Sequence, residues 1–536
     1  MLQPAMFDES MTRREVLKRT AASIAALSVN LQFVSAFRRT SEPDWPMNNG
    51  PFGNFNPRRY GHRLVDDLAK TRLLWRSEDH FGFGKGGASS FLSDLIIRPT
   101  HPGSCFGPII ADGLIFVSSF QPSGRVWAEN LPHLKNFQKP IAAEQRKKLQ
   151  QQLRIGADDL LIALDQRTGK TVWKAVEEGK GLNRYMGKRL GFGVAPAWLD
   201  GKVFNMGTTG RLYAYEARSG NKLWETDLGK THLAMEARKK KCLDAKTLLG
   251  YLGWDASLVV ADGVLVVPLF DAAPDVSLRG VDPMSGKTLW EIPAINCQYA
   301  TPAVLHYEQR EYLLVATSKG SLHMIDPRRG KVLWTVDKLA PNWASLTCSA
   351  DHVIVNIGSQ KAGPKRGIHF GLYGAYRFSP KGAQRAWSMQ DRTENLFVNW
   401  MDSCARRAVV MRDGLVYLFC SHHPVDGKQH LHVIEEKTGK LLHSEENDFR
   451  GSMMLLVEDR LIKWCDAAHK AKTGGSRMEM FSADPSNFKR LGSIYAPPEA
   501  PSTGYEVYME YPYADGCLFQ RTETGHLCCY DLRKGT

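Results

Sequence analysis

The chain has ten cysteines, yet none of them forms Cys-x-x-Cys or Cys-x-x-Cys-His. That absence excludes a thioredoxin-like dithiol and a covalently attached c-type haem. No segment approaches the ~20 apolar residues that a membrane-spanning helix needs. Ser, His and Asp follow no triad order and no nucleophile elbow stands out, so acyl transfer by an activated serine finds no support. The glycine-rich run Gly82-Phe-Gly-Lys-Gly-Gly87 lacks the strand-glycine-helix setting of a phosphate cradle. An acidic excess is missing too, because 70 lysines and arginines against 56 aspartates and glutamates leave a net charge of +14.

What is present is a repeat. The unit Asp-x-x-(Ser/Thr)-Gly-(Lys/Asn)-x-x-Trp recurs at Asp165…Gly169…Trp173, Glu216…Gly220…Trp224, Asp282…Gly286…Trp290 and Asp326…Gly330…Trp334. Worn copies run from Leu372 to Trp387, from Leu431 to Leu442 with His443 following, and from Met478 to Ser482. The last copy, ending Asp531-Leu-Arg-Lys-Gly535-Thr536, stops at its turn, and the orphan strand Thr71-Arg-Leu-Leu-Trp75 supplies the missing half. A second tally counts the hairpin dipeptide before each copy: Asp112-Gly113, Asp200-Gly201, Asp262-Gly263, Glu308-Gln309, Asp351-His352, Asp413-Gly414, Asp459-Arg460 and Asp515-Gly516. Both tallies give eight. A period of roughly 50 residues with alternating strands predicts an all-β, eight-bladed propeller of four-stranded blades, closed by pairing the N-terminal strand with the C-terminal blade. Trp173, Trp224, Trp290 and Trp334 are expected to staple blade to blade.

Residues 1–36 read as a twin-arginine export signal, with Arg13-Arg14 ahead of a short apolar run from Ala21 to Val34 and the small-residue exit Val34-Ser35-Ala36. Residues 37–70 are an extended arm rich in Pro, Gly, Asn and Arg, and 71–536 are the propeller. Two insertions rich in helix formers, 141–153 and 233–249, are expected to be short helices, and 82–87, 361–367 and 496–504 surface loops. The expected location is the periplasm or cell surface, reached already folded. Nucleic acid is then an improbable partner, and the basic excess suits anionic glycans, an acidic protein partner or anionic lipid, unless it is simply dispersed over a solvated surface. Cys348, Cys420, Cys465 and Cys517 sit in strand patterns as small buried hydrophobes, and successive strand residues such as Cys528 and Cys529 point to opposite faces.

Loops entering the innermost strands of a propeller converge on one mouth of its channel. Those positions here are Trp254, Asp255, Gln298, Tyr299, Asn342, Trp343, Asn399, Trp400, Asp402, Arg450 and Glu510. Aromatic faces beside carboxylates, amides and a guanidinium suit a planar or sugar-like ligand; the same residues can equally plug the channel. His430 and His432 share a strand face near His422 and His423, but no third ligand at a fixed spacing accompanies them. They read as solvent-facing, and no metal is assigned.

The Asp-x-x-Thr-Gly-Lys-x-x-Trp repeat resembles that of the quinoprotein-like eight-bladed propellers, whose repeats are of the pyrroloquinoline-quinone type, over nearly the whole mature chain. The resemblance implies the fold, and leaves activity open: the family holds quinone-dependent alcohol and sugar dehydrogenases, a non-enzymatic subunit of the outer-membrane barrel-assembly machine, and exported paralogues without assigned activity, which this chain looks most like. In the dehydrogenases a vicinal disulfide covers the quinone, Glu and Asn hold calcium, an Asp is the base and a Trp floors the cofactor. Cys528-Cys529 lies in a repeat strand of the closing blade, so that disulfide is not carried over. The expectation is a propeller that binds a ligand or partner at its channel mouth without chemistry or cofactor of its own. The alternative is a dehydrogenase using pyrroloquinoline quinone and calcium, with Asp255 or Asp402 as base. A glycan-active enzyme with paired carboxylates is a third.

Overall fold

The computed structural model describes residues 43–81, 107–126, 154–182, 194–228, 256–273, 276–297, 300–342, 345–361, 369–389, 397–399, 409–420, 428–447, 451–465, 477–495, 511–521 and 526–535. Their strands form eight antiparallel sheets. In chain order the blades span 109–182, 197–227, 259–292, 303–336, 347–388, 409–446 and 451–495, and the eighth joins 513–531 to 72–76. The fifth blade departs from the four-stranded expectation, because Phe397–Asn399 adds a fifth strand beside His369–Ser379. The two insertions and the three predicted surface loops fall wholly or largely outside the described residues. No described helix is long and apolar enough to cross a membrane.

Ring closure is where the repeat placed it. Arg72 pairs with Asp531, Leu73 with Tyr530 and Trp75 with Cys529. Six hairpins use the predicted dipeptide, and at five of these both residues have left-handed backbone in Asp-Gly pairs. Glu308-Gln309 does the same without a glycine. Two turns sit one residue earlier than predicted: Cys348 pairs with Val353 and Val457 with Arg460, so the turn residues are Ala350-Asp351 and Glu458-Asp459. At the second of them Glu458 takes the left-handed backbone of the first turn position and its carboxylate accepts from the Tyr60 N–H and the Tyr513 hydroxyl, which holds the turn there.

The staples work by a common geometry. The indole Nε1 of Trp173 donates to the carbonyl of Ala217 at 2.9 Å, Trp224 to Pro283 at 3.1 Å, Trp290 to Pro327 at 2.6 Å and Trp334 to Ser379 at 2.8 Å, each in the next blade. Trp387 does so to Glu436 at 2.7 Å, and Trp75 to Gln166 at 3.2 Å across the closure. Gly169 shows why the turn needs glycine, because it is left-handed and an added Cβ would lie 2.3 Å from the Trp75 ring. Two blades lack the tryptophan. His443 fills the place in the sixth, its ring 5.1 Å from Phe488 of the seventh. Gly492 fills it in the seventh, and there a Cβ would strike Asp67 and Leu68. The missing indole is replaced by the arm's own 3-10 turn, Leu68–Lys70, whose Leu68 is fully buried.

The segment 44–67 threads the ring from within. Trp45 exchanges both backbone bonds with Ile110 in the first blade's inner strand, and Pro46 accepts from Trp198 in the second. Asn49 donates to Pro302, Gly53 accepts from Val304, Asn54 donates to Cys348 and Asn56 to Met411. The segment then meets the hairpin turns: Arg59 pairs with Asp413, Tyr60 and Gly61 donate to Glu458, and His62 contacts Asp515 at 2.7 Å. Residues 45–50 are buried throughout. Local turns, with Gly50 donating to Met47, Gly53 to Gly50 and Phe55 to Asn49, satisfy the backbone groups that the inner strands do not.

Candidate functional site

A row of three hydroxyls marks where the inner strands of the third, fourth and fifth blades begin. The backbone N–H of Ala195 donates to Ser257 Oγ at 3.0 Å, that of Ser257 to Thr301 Oγ1 at 3.1 Å and that of Thr301 to Ser345 Oγ at 3.1 Å. The last two links each span 44 residues, one blade. Each short hydroxyl therefore satisfies an amide of the preceding blade and fixes the spacing between neighbours. The candidate pairs Trp254-Asp255, Gln298-Tyr299 and Asn342-Trp343 immediately precede this rim at the same repeat position.

Among the eleven candidates only Asn342 has a described side chain, and it is occupied with structure. Its Nδ2 donates to the carbonyls of Ala340 and Asn356, and its Oδ1 accepts the Asn356 N–H at 3.0 Å. Asn399 lies in the added strand of the fifth blade, opposite Phe370. Trp254, Asp255, Gln298, Tyr299, Trp343, Trp400, Asp402, Arg450 and Glu510 lie outside the described residues. The reading of both strand histidines as solvent-facing needs correction: His432 is fully buried, with its ring stacked 5.7 Å from that of His430, because it shares the inward parity of a core strand. His422 and His423 lie outside the described residues. Cys348, Cys420, Cys517, Cys528 and Cys529 are buried.

Sequence reading missed two buried charge clusters. Between the first and second blades, Asp159 accepts from the Thr208 N–H at 2.9 Å, from Thr208 Oγ1 at 2.8 Å and from Tyr213 OH at 3.4 Å. Burial pushes its pKa up to about 6 against those bonds. Beside it, burial works to raise the pKa of Glu177 and Glu225, but Lys180 and Lys222 outweigh it and hold both below the usual carboxylate range. Between the sixth and seventh blades, Lys463 and Glu479 are wholly buried 3.5 Å apart, and Asn447 bonds to both. The available signal was parity: Asp159 alternates with the core residues Leu161 and Ala163, Lys463 with Leu461, and Glu479 with Phe481.

Asp159 gives a pH prediction. A folded-state pKa above the unfolded value means its contribution to stability is full below about 4 and is lost as pH rises through about 6. The loss is on the order of 3 kcal/mol. Asp159→Asn should therefore unfold at a higher denaturant concentration relative to wild type at pH 7.5 than at pH 4.5. Equal differences at both pH values would rule out a carboxylate destabilised by burial.

A cavity of about 720 Å³ lies at the hairpin turns between the arm and the last three blades, lined by Arg59, His62, Arg412, Asp413, Glu458 and Lys534 among others. Its charges are largely engaged with one another, as in Arg59–Asp413 and Lys534–Asp66, so it is the seam along which the arm is laced.

A family model described as outer membrane protein assembly factor BamB matches residues 135–268 and 274–459. Among solved structures, the quinohemoprotein alcohol dehydrogenase of Comamonas testosteroni is similar over 94% of this chain and 83% of its own, at 12% identity and a TM-score of 0.52. BamB of Moraxella catarrhalis is similar over 71% of this chain and 92% of its own, at 10% identity and a TM-score of 0.44. No curated protein matches the chain. Identities this low bear on the fold alone.

Proposed function

Since the chain belongs to the quinoprotein-like propeller family whose model is described as outer membrane protein assembly factor BamB, we propose that it is an exported propeller that binds a ligand or protein partner at the loop-side mouth of its channel, without chemistry of its own. The observation that carries this reading is the buried segment 45–50, which bonds to inner strands and reaches Thr301 and Pro302, two or three residues from Gln298-Tyr299. That the protein's own residues 45–50 are buried and bond at Thr301 and Pro302 supports a ligand that engages the rim and not the bore. Trp254, Tyr299, Trp343 and Trp400 supply flat contact area, and Asp255, Asp402, Arg450 and Glu510 supply polar selectivity. Arg13-Arg14 and the short apolar run after them support export by the twin-arginine route. The net charge of +14 favours an acidic protein partner or an anionic glycan.

Quinone and calcium, which the family's dehydrogenases carry, find no ligand in Asn342, the one candidate with a described side chain, because it has committed its amide to the backbone of Ala340 and Asn356. The likeness in fold to a quinohemoprotein alcohol dehydrogenase keeps the dehydrogenase as the second reading. One experiment separates them. Mature protein incubated with pyrroloquinoline quinone and calcium should show no retained cofactor absorbance after desalting and no reduction of a dye by alcohols or sugars. Dye reduction that is lost in Asp255→Ala or Asp402→Ala would overturn the binding-propeller reading.

A further inference from the structure

The seam between the fifth and sixth blades is built differently from the others. In five other blades the residue whose carbonyl receives the stapling indole is Gln166, Ala217, Pro283, Pro327 or Ser379, none of which bears a charge. In the sixth blade it is Glu436, whose side chain is 6% exposed. Opposite it stands His352, 5% exposed, as the first residue of its strand. The fourth blade carries Arg310 at the same strand position, and there a guanidinium spans Asp262 and Asp326 at 2.8 and 3.0 Å. At the fifth blade the fixed cation is gone and the acids differ in origin, Asp351 from the blade's own hairpin turn and Glu436 from the sixth blade: His352 Nδ1 lies 2.7 Å from Asp351 Oδ1 and 3.3 Å from Glu436 Oε1. Ser349 Oγ donates to the same Glu436 oxygen.

We propose that Asp351, His352 and Glu436 form a zinc site that clips the fifth blade to the sixth. Their three ligand atoms lie within 4.8 Å of one another. One ring nitrogen carries at most one proton and cannot serve two carboxylates fully, whereas a divalent cation neutralises both and takes the nitrogen lone pair. One imidazole and two carboxylate oxygens are borderline donors that suit Zn²⁺, and bonds of about 2.0–2.1 Å in a tetrahedron put ligand atoms roughly 3.3 Å apart. The His352–Glu436 separation of 3.3 Å already has that value. Asp351, with its side chain 44% exposed, has room to rotate outward from 2.7 Å, and water takes the fourth position. The site lies at the hairpin end of the blades and is independent of the proposed ligand mouth.

The test uses the mature protein, stripped with a chelator and titrated with zinc. Wild type should take up one tightly held zinc ion, with a rise in Tm, and cobalt in its place should show the visible absorption of a four-coordinate centre. His352→Arg puts at this strand position the residue type that the fourth blade carries there, keeps a cation beside both acids and removes the nitrogen ligand, so it should bind no zinc. Glu436→Gln should lose at least tenfold in affinity. Absence of stoichiometric uptake by wild type, or unchanged uptake by both variants, would overturn the proposal. Should either variant fail to fold, wild type alone decides: an unchanged Tm on chelation and a cobalt spectrum of six oxygen ligands each reject the site.

Discussion

Lys463→Met should cost about 3–5 kcal/mol of stability, read as a large fall in the urea midpoint. Lys463 Nζ lies 3.5 Å from Glu479 and 2.6 Å from Asn447 Oδ1, with neither charged residue exposed. It also sits 4.5 Å from the centroid of the Phe419 ring, so this one ammonium ties the sixth blade to the seventh. Methionine keeps the stem over that ring and removes only the charge. Glu479 then stays buried, paired among the described residues with Arg490, itself 47% exposed, at 3.2 Å. The double variant Lys463→Met, Glu479→Leu should recover part of the loss, because removing both charges also removes their desolvation cost. A single variant within 1 kcal/mol of wild type would mean that water reaches the pair.

The same seam explains what was legible in the sequence and what was not. Backbone periodicity writes itself into every blade, so the turn glycines, the tryptophans and the split closing blade could be read from spacing alone. The tryptophan rule failed at His443 and Gly492, and the ring tolerates it because Phe488 and the arm's Leu68 occupy the vacated space. The arm read as extended polypeptide, and nothing in its composition announced a path through the ring. That path is set by main-chain bonds such as Trp45 to Ile110, which carry no side-chain signature. For the site, spacing put Trp254, Gln298 and Asn342 at equivalent repeat positions beside the hydroxyl rim, but could not tell a ligand-facing amide from one that braces its own loop. Asn342 proved to brace. The two turns that moved by one residue kept their aspartate, at the second turn position instead of the first.

Replacing Arg72–Arg76 by a glycine-serine segment of equal length should have the largest effect of any change outside the core, with loss of a single cooperative unfolding transition. The strand supplies the outer ribbon of the eighth blade and, through Trp75, the link from that blade to the first. A propeller buries its blade faces only when every neighbour is present, so opening the ring exposes two faces at once. Trp75→Ala removes the link but keeps the ribbon, and should cost about 3 kcal/mol, the low end for a tryptophan because the ring is half-buried. The closure also has a pH signature. Burial works to raise the pKa of Asp531, but Arg533 and Arg72 prevail and hold it below the ordinary range. Its contribution is therefore present above about pH 4 and is lost as pH falls through the lowered value. The stability gap between wild type and the replaced strand should narrow in acid. A replaced-strand protein that unfolds in one transition at the wild-type midpoint would show that the ring is held shut by the threaded arm and not by the borrowed strand.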